Sequence, residues 1–320
     1  MRVIFWTRQE VGTRVESDWR ETNLAKAIQN GARAHGDEVE ILTTPDDGSI
    51  EVHPCDLVCK VGVKSRHWFT AYAEAGIPWL YFDKGYIRER APDQWLNYWR
   101  MSVNSHHPIE YLAKAKHGSN RANGMGFRFT SWQEDRGRHI VLDGGSEKNF
   151  KFNGIVPESA DIGDVDAHCR KVVRRIQACA PGRPIIYRPK PSSKGRQAIE
   201  GSEFARNRGV PLKDLGHDLD RAWAVVTYNG AICYDANRVG VPSIVLGSGP
   251  ARPISSTSLE ELENPRLASS EERRQWINNL AWCQFKMREI RDGVAWSIVK
   301  EMLDLTPIKT PAGACPCSPL

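Results

Sequence analysis

The chain has 320 residues, enough for two domains of ordinary size or one large one. Hydrophobic residues make up 40% and charged residues 26%, with 44 Lys and Arg against 39 Asp and Glu for a net charge of +5. This composition excludes a disordered chain; the mild positive balance permits a nucleic-acid partner without demanding one. No apolar run is long enough to span a bilayer. The MRVIFWTRQEVG start has neither the apolar core nor the small-residue cleavage site of a signal peptide. Eight cysteines are too dilute for a disulfide scaffold, and neither Cys55 and Cys59 nor Cys315 and Cys317 have a partner pair at zinc-finger spacing. The expectation is a soluble, cytoplasmic protein without a structural metal or membrane contact, as a monomer or homodimer. Its eleven tryptophans are expected mostly in the core or at interfaces.

In chain order, Arg2 to Thr7 reads as a short apolar strand. A polar loop follows, then a helix from about Trp19 to His35 with Leu24, Ala27, Ile28 and Ala32 on one side. Gly36 stops it. Val39 to Leu42 and Asp56 to Val61 are two further strands. Ser65 can cap a helix to about Glu74, which Gly76 ends before the strand Trp79 to Phe82. Strand, helix and strand at these spacings predict a parallel sheet covered by helices. Residues 85 to 138 show poor periodicity and read as the rim of the first domain plus a linker.

Order returns at His139. Ile140 to Leu142 is a strand running into Gly144-Gly145-Ser146. Asp164 to Ala178 is a helix with Val165, Cys169, Val172, Val173 and Ile176 on one face. Strands follow at Pro184 to Tyr187, Ala222 to Thr227 and Ser243 to Leu246, with a short helix around Ile232 to Val239. Beyond them, Ser256 to Glu263 reads as a short amphipathic helix. Ser270 to about Leu303 reads as one long helix, bent at Gly293. The predicted fold is α/β: two Rossmann-like parallel-sheet domains facing a central cleft, with C-terminal helices crossing back. The boundaries fall at 1–138, 139–303 and a loose proline-rich tail, 304–320.

Four segments at predicted strand ends stand out, because ligands of open α/β sheets bind outside the carboxyl ends of the strands. In DGGSEKNF (143–150), Gly145 lets the backbone approach a ligand, and Ser146 and Lys148 can hold a phosphate oxygen. In YRPKPS (187–192), Arg188 and Lys190 sit between prolines and suit a diphosphate. In TYNGAICYDANRVGVP (227–242), Thr227 ends a strand and Asn229-Gly230 opens a helix whose free amides favour an anion. Asp235, further along that helix, can accept from a ribose. LGSGPARPISS (246–256) adds Gly249 in another glycine loop. Each has a blander reading as well: turn glycines, solvated cations, a surface carboxylate. Together they describe a pocket for a nucleotide diphosphate. Neither GxGxxG nor GxxxxGK[ST] occurs, which argues against a Rossmann dehydrogenase or a P-loop kinase.

The stretch AVVTYNGAICYDANRVGVPSIVLG resembles the donor-domain signature of GT-B glycosyltransferases and of the sugar-nucleotide 2-epimerases built on that fold. IYRPKP is similar to a cationic strand end of polysaccharide-forming members. RRQWINNLAWCQFKMREIRDGVAW resembles segments of bacteriophage proteins of this fold associated with DNA base modification. The resemblance covers about 139 to 300 and reaches the first half only by architecture. It places Asp235 at the acid that binds ribose or sugar hydroxyls, and Asn229-Gly230 at the mouth of the phosphate-binding helix. Asp stands at 235 where Glu is commoner, and Gly230 where many relatives carry Ser.

The resemblance implies sugar transfer from a nucleotide-diphosphate sugar, UDP- favoured over GDP-, without an obligatory metal. The acceptor hydroxyl then needs a base from the first domain: Asp18 leads, Asp83 in FDKGY is second, and His106 with His107 third. Asp18 equally reads as the cap of the following helix, and Asp83 as a partner of Lys84 or Arg88. Double-stranded DNA carrying hydroxymethylpyrimidines fits the phage resemblance and the interleaving of Trp95, Trp99, Arg100, Arg121, Arg128 and Trp132. A glycan, a lipid or small-molecule acceptor, an epimerase, another DNA hypermodification and a non-catalytic DNA-binding protein remain the alternatives.

Overall fold

A computed structural model of the chain describes residues 1–8, 19–87, 97–190, 196–205 and 213–311. Its elements begin with β1 (Arg2–Thr7), α1 (Trp19–Arg33), β2 (Glu38–Thr43), β3 (Leu57–Val61), α2 (Arg66–Glu74), β4 (Trp79–Lys84) and β5 (Tyr98–Val103). They continue with α3 (Ile109–Lys114), α4 (Asn120–Gly124), β6 (Ile140–Asp143), α5 (Glu147–Phe152), α6 (Ile162–Cys179), β7 (Ile185–Arg188) and β8 (Glu203–Phe204). The last are α7 (Lys213–Leu219), β9 (Ala224–Thr227), α8 (Ile232–Arg238), β10 (Ser243–Val245), α9 (Ser270–Ala281), β11 (Gln284–Lys286), α10 (Met287–Arg291) and α11 (Val294–Leu305).

These form two Rossmann-like sheets with helices, as the sequence leads one to expect. The chain divides into a first unit, Met1–His117 with Asn279–Gly313, and a second whose described part is Gly118–Asn278. The boundary therefore falls at His117 rather than 138. The closing segment does cross back, but it is part of the first unit instead of a cap on the second. Residues 312–320, most of the expected loose tail, lie outside the described residues.

The first sheet has the order β11-β5-β4-β3-β1-β2. β1 to β4 run parallel, β5 is antiparallel to β4, and β11 is antiparallel to β5. Its core is aromatic: Trp6 packs on Trp68 with ring centroids 4.5 Å apart, and Phe69 stacks on Trp79 at 4.4 Å. Two strands depart from the sequence reading. β5 lies in the stretch read as rim and linker, and β11 interrupts what reads as a single long helix. The helical spacing of Leu280, Cys283, Met287 and Ile290 persists across β11 because a three-residue strand shifts the pattern too little to show. Gln284 identifies the strand in hindsight: it is fully buried, and its Oε1 accepts from the Tyr86 and Ile87 amides at 2.8 and 3.2 Å. The expected helix at 256–263 is only a short 3₁₀ turn, Leu259–Glu261.

The second sheet is all parallel, in the order β10-β9-β6-β7-β8. Val165, Val172, Val173 and Ile176 of α6 pack with Ile140, Leu142, Ile185 and Val226 in one core. Leu215, Leu219, Ile232 and Ala236 of α7 and α8 pack with Val141 and Val225 in another. Both faces are covered, so the strands are short apolar runs without alternation, the pattern of a buried parallel sheet.

One buried anion ties the first unit together. Asp37, between α1 and β2, accepts from the Met1 amino group at 2.6 Å, Trp296 Nε1 at 2.7 Å and Lys300 Nζ at 2.8 Å. Burial alone raises a carboxyl pKa, but Lys300, the amino terminus and Trp296 outweigh it and hold Asp37 at about 2. A folded-state pKa below the unfolded one stabilises above the unfolded value, and that stabilisation fades as pH falls from about 4 to about 2. Asp37→Asn should therefore cost about 2 kcal/mol at pH 7. In urea unfolding the gap between variant and wild type should close towards pH 2.

Candidate functional site

In the second sheet the chain lays β7 and β8 on one side of β6, then returns to lay β9 and β10 on the other. The crossovers diverge between β6 and β9, which opens a crevice above their carboxyl ends. Asp143, the last residue of β6, stands at that point. Its Oδ2 accepts from Thr227 Oγ1 at 2.7 Å and its Oδ1 from the Gly145 amide at 3.0 Å. Thr227 Oγ1 in turn accepts from the Gly230 amide at 3.0 Å. One carboxylate thus fixes the turns after both strands.

Glycine is obligatory around this knot. A β-carbon on Gly230 would overlap the Asp143 carboxylate, one on Gly145 would strike the Phe150 ring, and one on Gly144 would lie 2.6 Å from the Tyr187 ring. Gly145 also has φ +56, a region L side chains rarely adopt. Gly249 is hemmed in by Val245 and Cys233, whose β-carbon distances would be 2.9 and 3.0 Å. The loop after β10 lies on the turn after β9 through Leu246 and Gly247 amides donating to Thr227 and Tyr228 carbonyls. Gly145, Thr227, Asn229, Gly230 and Gly249 therefore share one edge. Asn229 is buried, and Asp235 is half-buried in the first turn of α8.

Lys190 is exposed, and its amide donates to the Gly145 carbonyl at 3.1 Å, which sets it beside the same turn. Lys148 is exposed on α5. Ser146 is the N-cap of α5 and its hydroxyl accepts from the Asn149 amide, so it already has a backbone partner. Arg188 departs from expectation. Successive strand residues face opposite sides: Tyr187 points to Asp166 of α6, whereas Arg188 points to α7, where it is 6% exposed and pairs with the buried Asp218. A guanidinium buried this way needs its carboxylate, so it is not a free cation for a diphosphate.

In the first unit, Asp83, His106 and His107 converge on Arg100. Asp83 and Arg100 are directly opposite in the β4–β5 ladder. Arg100 is 5% exposed and donates to Asp83 Oδ2 at 3.1 Å, to His106 Nε2 at 3.0 Å and to His107 Nδ1 at 2.5 Å. Tyr81 Oη donates to Asp83 Oδ2 at 2.9 Å and the Lys84 amide to Oδ1 at 2.7 Å. Desolvation raises the Asp83 pKa, but the Arg100 charge, the Lys84 amide, His106 and Tyr81 together carry it below the usual carboxylate value. Asp83 thus remains ionised, with a side chain 39% exposed. A guanidinium only donates, so His106 accepts at Nε2. Asp18 lies outside the described residues.

The residues read as a DNA platform do not form one exposed surface among the described residues. Arg100 is buried in the cluster above, and Trp99 pairs with Phe285 in the sheet. Trp132 donates to the Ala268 carbonyl and, with Phe129, sandwiches the buried Arg273, at 4.0 and 4.3 Å from its guanidinium carbon. Arg128 is exposed, Arg121 half-buried, and Trp95 lies outside the described residues. Sequence reading missed Asp143, Arg100 as an organiser, and Asp218. For Asp143 the signal was present: an acid closing a predicted strand just before two glycines.

Among the described residues no group of His, Cys, Asp or Glu is placed to hold a metal ion, and no helix is long and apolar enough to cross a membrane. No family model matches the chain, and no curated protein matches it in sequence. Among solved structures, Thermosulfurimonas dismutans KpsC, a β-Kdo 2,7 transferase, aligns with a TM-score of 0.46 and 10% identity, over 93% of this chain and 100% of that one. The KpsC β-Kdo 2,4 transferase of the same organism aligns with 0.42 and 11%, over 88% and 91%. Likeness at that level assigns no activity, and neither match points to a bacteriophage or DNA-modification lineage.

The knot at Asp143 predicts a coupling. Gly230→Ala should destabilise the second unit by about 2 kcal/mol through overpacking. Asp143→Ala alone should also destabilise, through the Gly145 and Thr227 donors it leaves unpaired, but adding it to Gly230→Ala should cost less in thermal unfolding than it does alone, because it removes the atoms the methyl group strikes.

Proposed function

We propose that the chain is a GT-B-type glycosyltransferase that moves a sugar from a nucleotide-diphosphate donor to a hydroxyl on a glycan or small molecule. The observation that carries this reading is the carboxyl edge of the second sheet. There, Gly145, Gly230 and Gly249 leave backbone without side chains around one switch point, with Lys190 beside it. Turns fixed in this way hold their backbone in place for a diphosphate, and an exposed lysine neutralises charge on the leaving group. Asp235 takes the ribose hydroxyls. Arg188, held by Asp218, supports the strand end instead of touching phosphate.

The first unit supplies the base. Asp83 is ionised, partly exposed and fixed in orientation by Arg100, Tyr81 and the Lys84 amide, and it takes the acceptor proton as the acceptor oxygen attacks the anomeric carbon. The bond to the diphosphate breaks, and the nucleotide departs with the electron pair. A carboxylate with a lowered pKa is a weak base, so its part is to orient and stabilise the developing proton transfer more than to abstract in advance. A glycan or small molecule is favoured over duplex DNA because Arg100 is buried among its own partners and Trp132 is engaged by the Ala268 carbonyl and Arg273.

Saturation-transfer NMR with UDP-, GDP- and CDP-sugars tests the donor. One class should bind saturably, and Lys190→Ala or Asp235→Asn should weaken it about tenfold, the loss of one charge-assisted hydrogen bond. If no nucleotide sugar binds the folded protein, the reading is wrong. Asp83→Asn should leave donor affinity unchanged and lower turnover about a hundredfold or more. Unaltered turnover would remove Asp83 from the chemistry.

A further inference from the structure

The first sheet has a switch point of its own. β1 has β2 on one side and β3 on the other, so the crevice opens above the carboxyl ends of β1 and β3. Lys60, near the end of β3, is 4% exposed. Its ammonium lies 4.7 Å from the Trp68 ring centre and donates to Thr44 Oγ1 at 2.7 Å. Thr44 Oγ1 donates onward to the Thr7 carbonyl at 2.8 Å, so this hydroxyl aims the ammonium from the end of β2.

Arg8 follows β1 directly, and its guanidinium lies against Gly62, the first residue past β3. It spans the crevice with a side chain 46% exposed and meets Glu21, in the first turn of α1, only at 3.7 Å. Among the described residues Lys60 has no carboxylate within ion-pair distance; its field is Glu21, which favours the charge, and Arg8, which opposes it. A buried ammonium without a paired anion is costly, and a second cation beside it adds to the cost. An anion held between the two cations would relieve both.

We propose that Lys60 and Arg8 form an oxyanion-binding site at the carboxyl edge of the first sheet, with Lys60 as its floor and Arg8 as its rim. The ligand is a phosphate or carboxylate group, held by the ammonium from below and the guanidinium from the solvent side. Thr44 and Trp68 position Lys60 without touching the ligand. The site belongs to the first unit alone and does not depend on the donor reading above.

Burial first, then Arg8, lowers the Lys60 pKa to about 8 against the partial support of Glu21, which places its titration within reach of ordinary buffers. The test follows that titration in the full-length protein by NMR of ε-carbon-labelled lysine. The signal is assigned by its loss in Lys60→Met or, if that variant does not fold, in Lys60→Arg. Inorganic phosphate and acetate are the probes, with sodium chloride at matched ionic strength as the control. Bound anion should move the midpoint upward by about one pH unit, a tenfold gain in proton affinity. In Arg8→Gln the midpoint without anion should rise, because the repelling charge is gone, and the anion response should shrink. A response to phosphate alone marks a phosphate-bearing ligand, and a response to acetate alone marks a carboxylate. No response to either anion beyond that to chloride, or an equal response in Arg8→Gln, would overturn the site.

Discussion

At the carboxyl edge of the second sheet, the turns after β6 and β9 must be held apart and yet close enough to share a ligand. Asp143 meets both demands by accepting from the Gly145 amide with one oxygen and from Thr227 with the other. Thr227 passes the constraint on to Gly230, whose lack of a side chain is what leaves room for the carboxylate. The loop after β10 then rests on the turn after β9 through two backbone hydrogen bonds. Everything assigned to donor binding depends on this chain of contacts: backbone amides present a pattern to an anion only if their turns are rigid before it arrives.

The first unit solves a different problem with one residue. Arg100 brings a permanent charge into the sheet and must satisfy it inside. Asp83, His106 and His107 gather around it for that reason, and the same attraction that buries Arg100 keeps Asp83 ionised and pointed. The role proposed for Asp83 therefore draws on an arrangement that already stabilises the sheet. Lys60, two strands away, shows the contrasting case of a buried cation without such a partner among the described residues.

Much of the architecture is legible in the sequence, because parallel strands buried on both faces are short apolar runs and their helices carry a clear 3.6-residue stripe. β1, β4 and β6 fall where Arg2 to Thr7, Trp79 to Phe82 and Ile140 to Leu142 predict. β5 and β11 do not show: β5 runs against the parallel strands, and β11 is only three residues long at the sheet edge. Tyr98 to Val103 mixes aromatic, charged and polar residues, and Gln284 is buried as a backbone acceptor, which no hydropathy pattern announces. At the site, glycines and lysines were visible as residue types at strand ends. Which way a side chain leaves its strand was not. Arg188 differs from Lys190 only in pointing to a buried Asp218, and Arg100 differs from a surface recognition residue only in being covered. Such facts are set by partners distant in sequence.

The central claim is that a nucleotide-diphosphate sugar lies on the switch point of the second sheet. Backbone amide NMR of the isotope-labelled protein, titrated with the nucleotide sugar that binds best, tests it most directly. The account predicts saturable shifts concentrated at the amides of Gly145, Gly230 and Gly249, with little change at Asp83 or Arg100 until an acceptor is added. Shifts confined to other surfaces, with those three glycine amides unmoved at saturation, would contradict it.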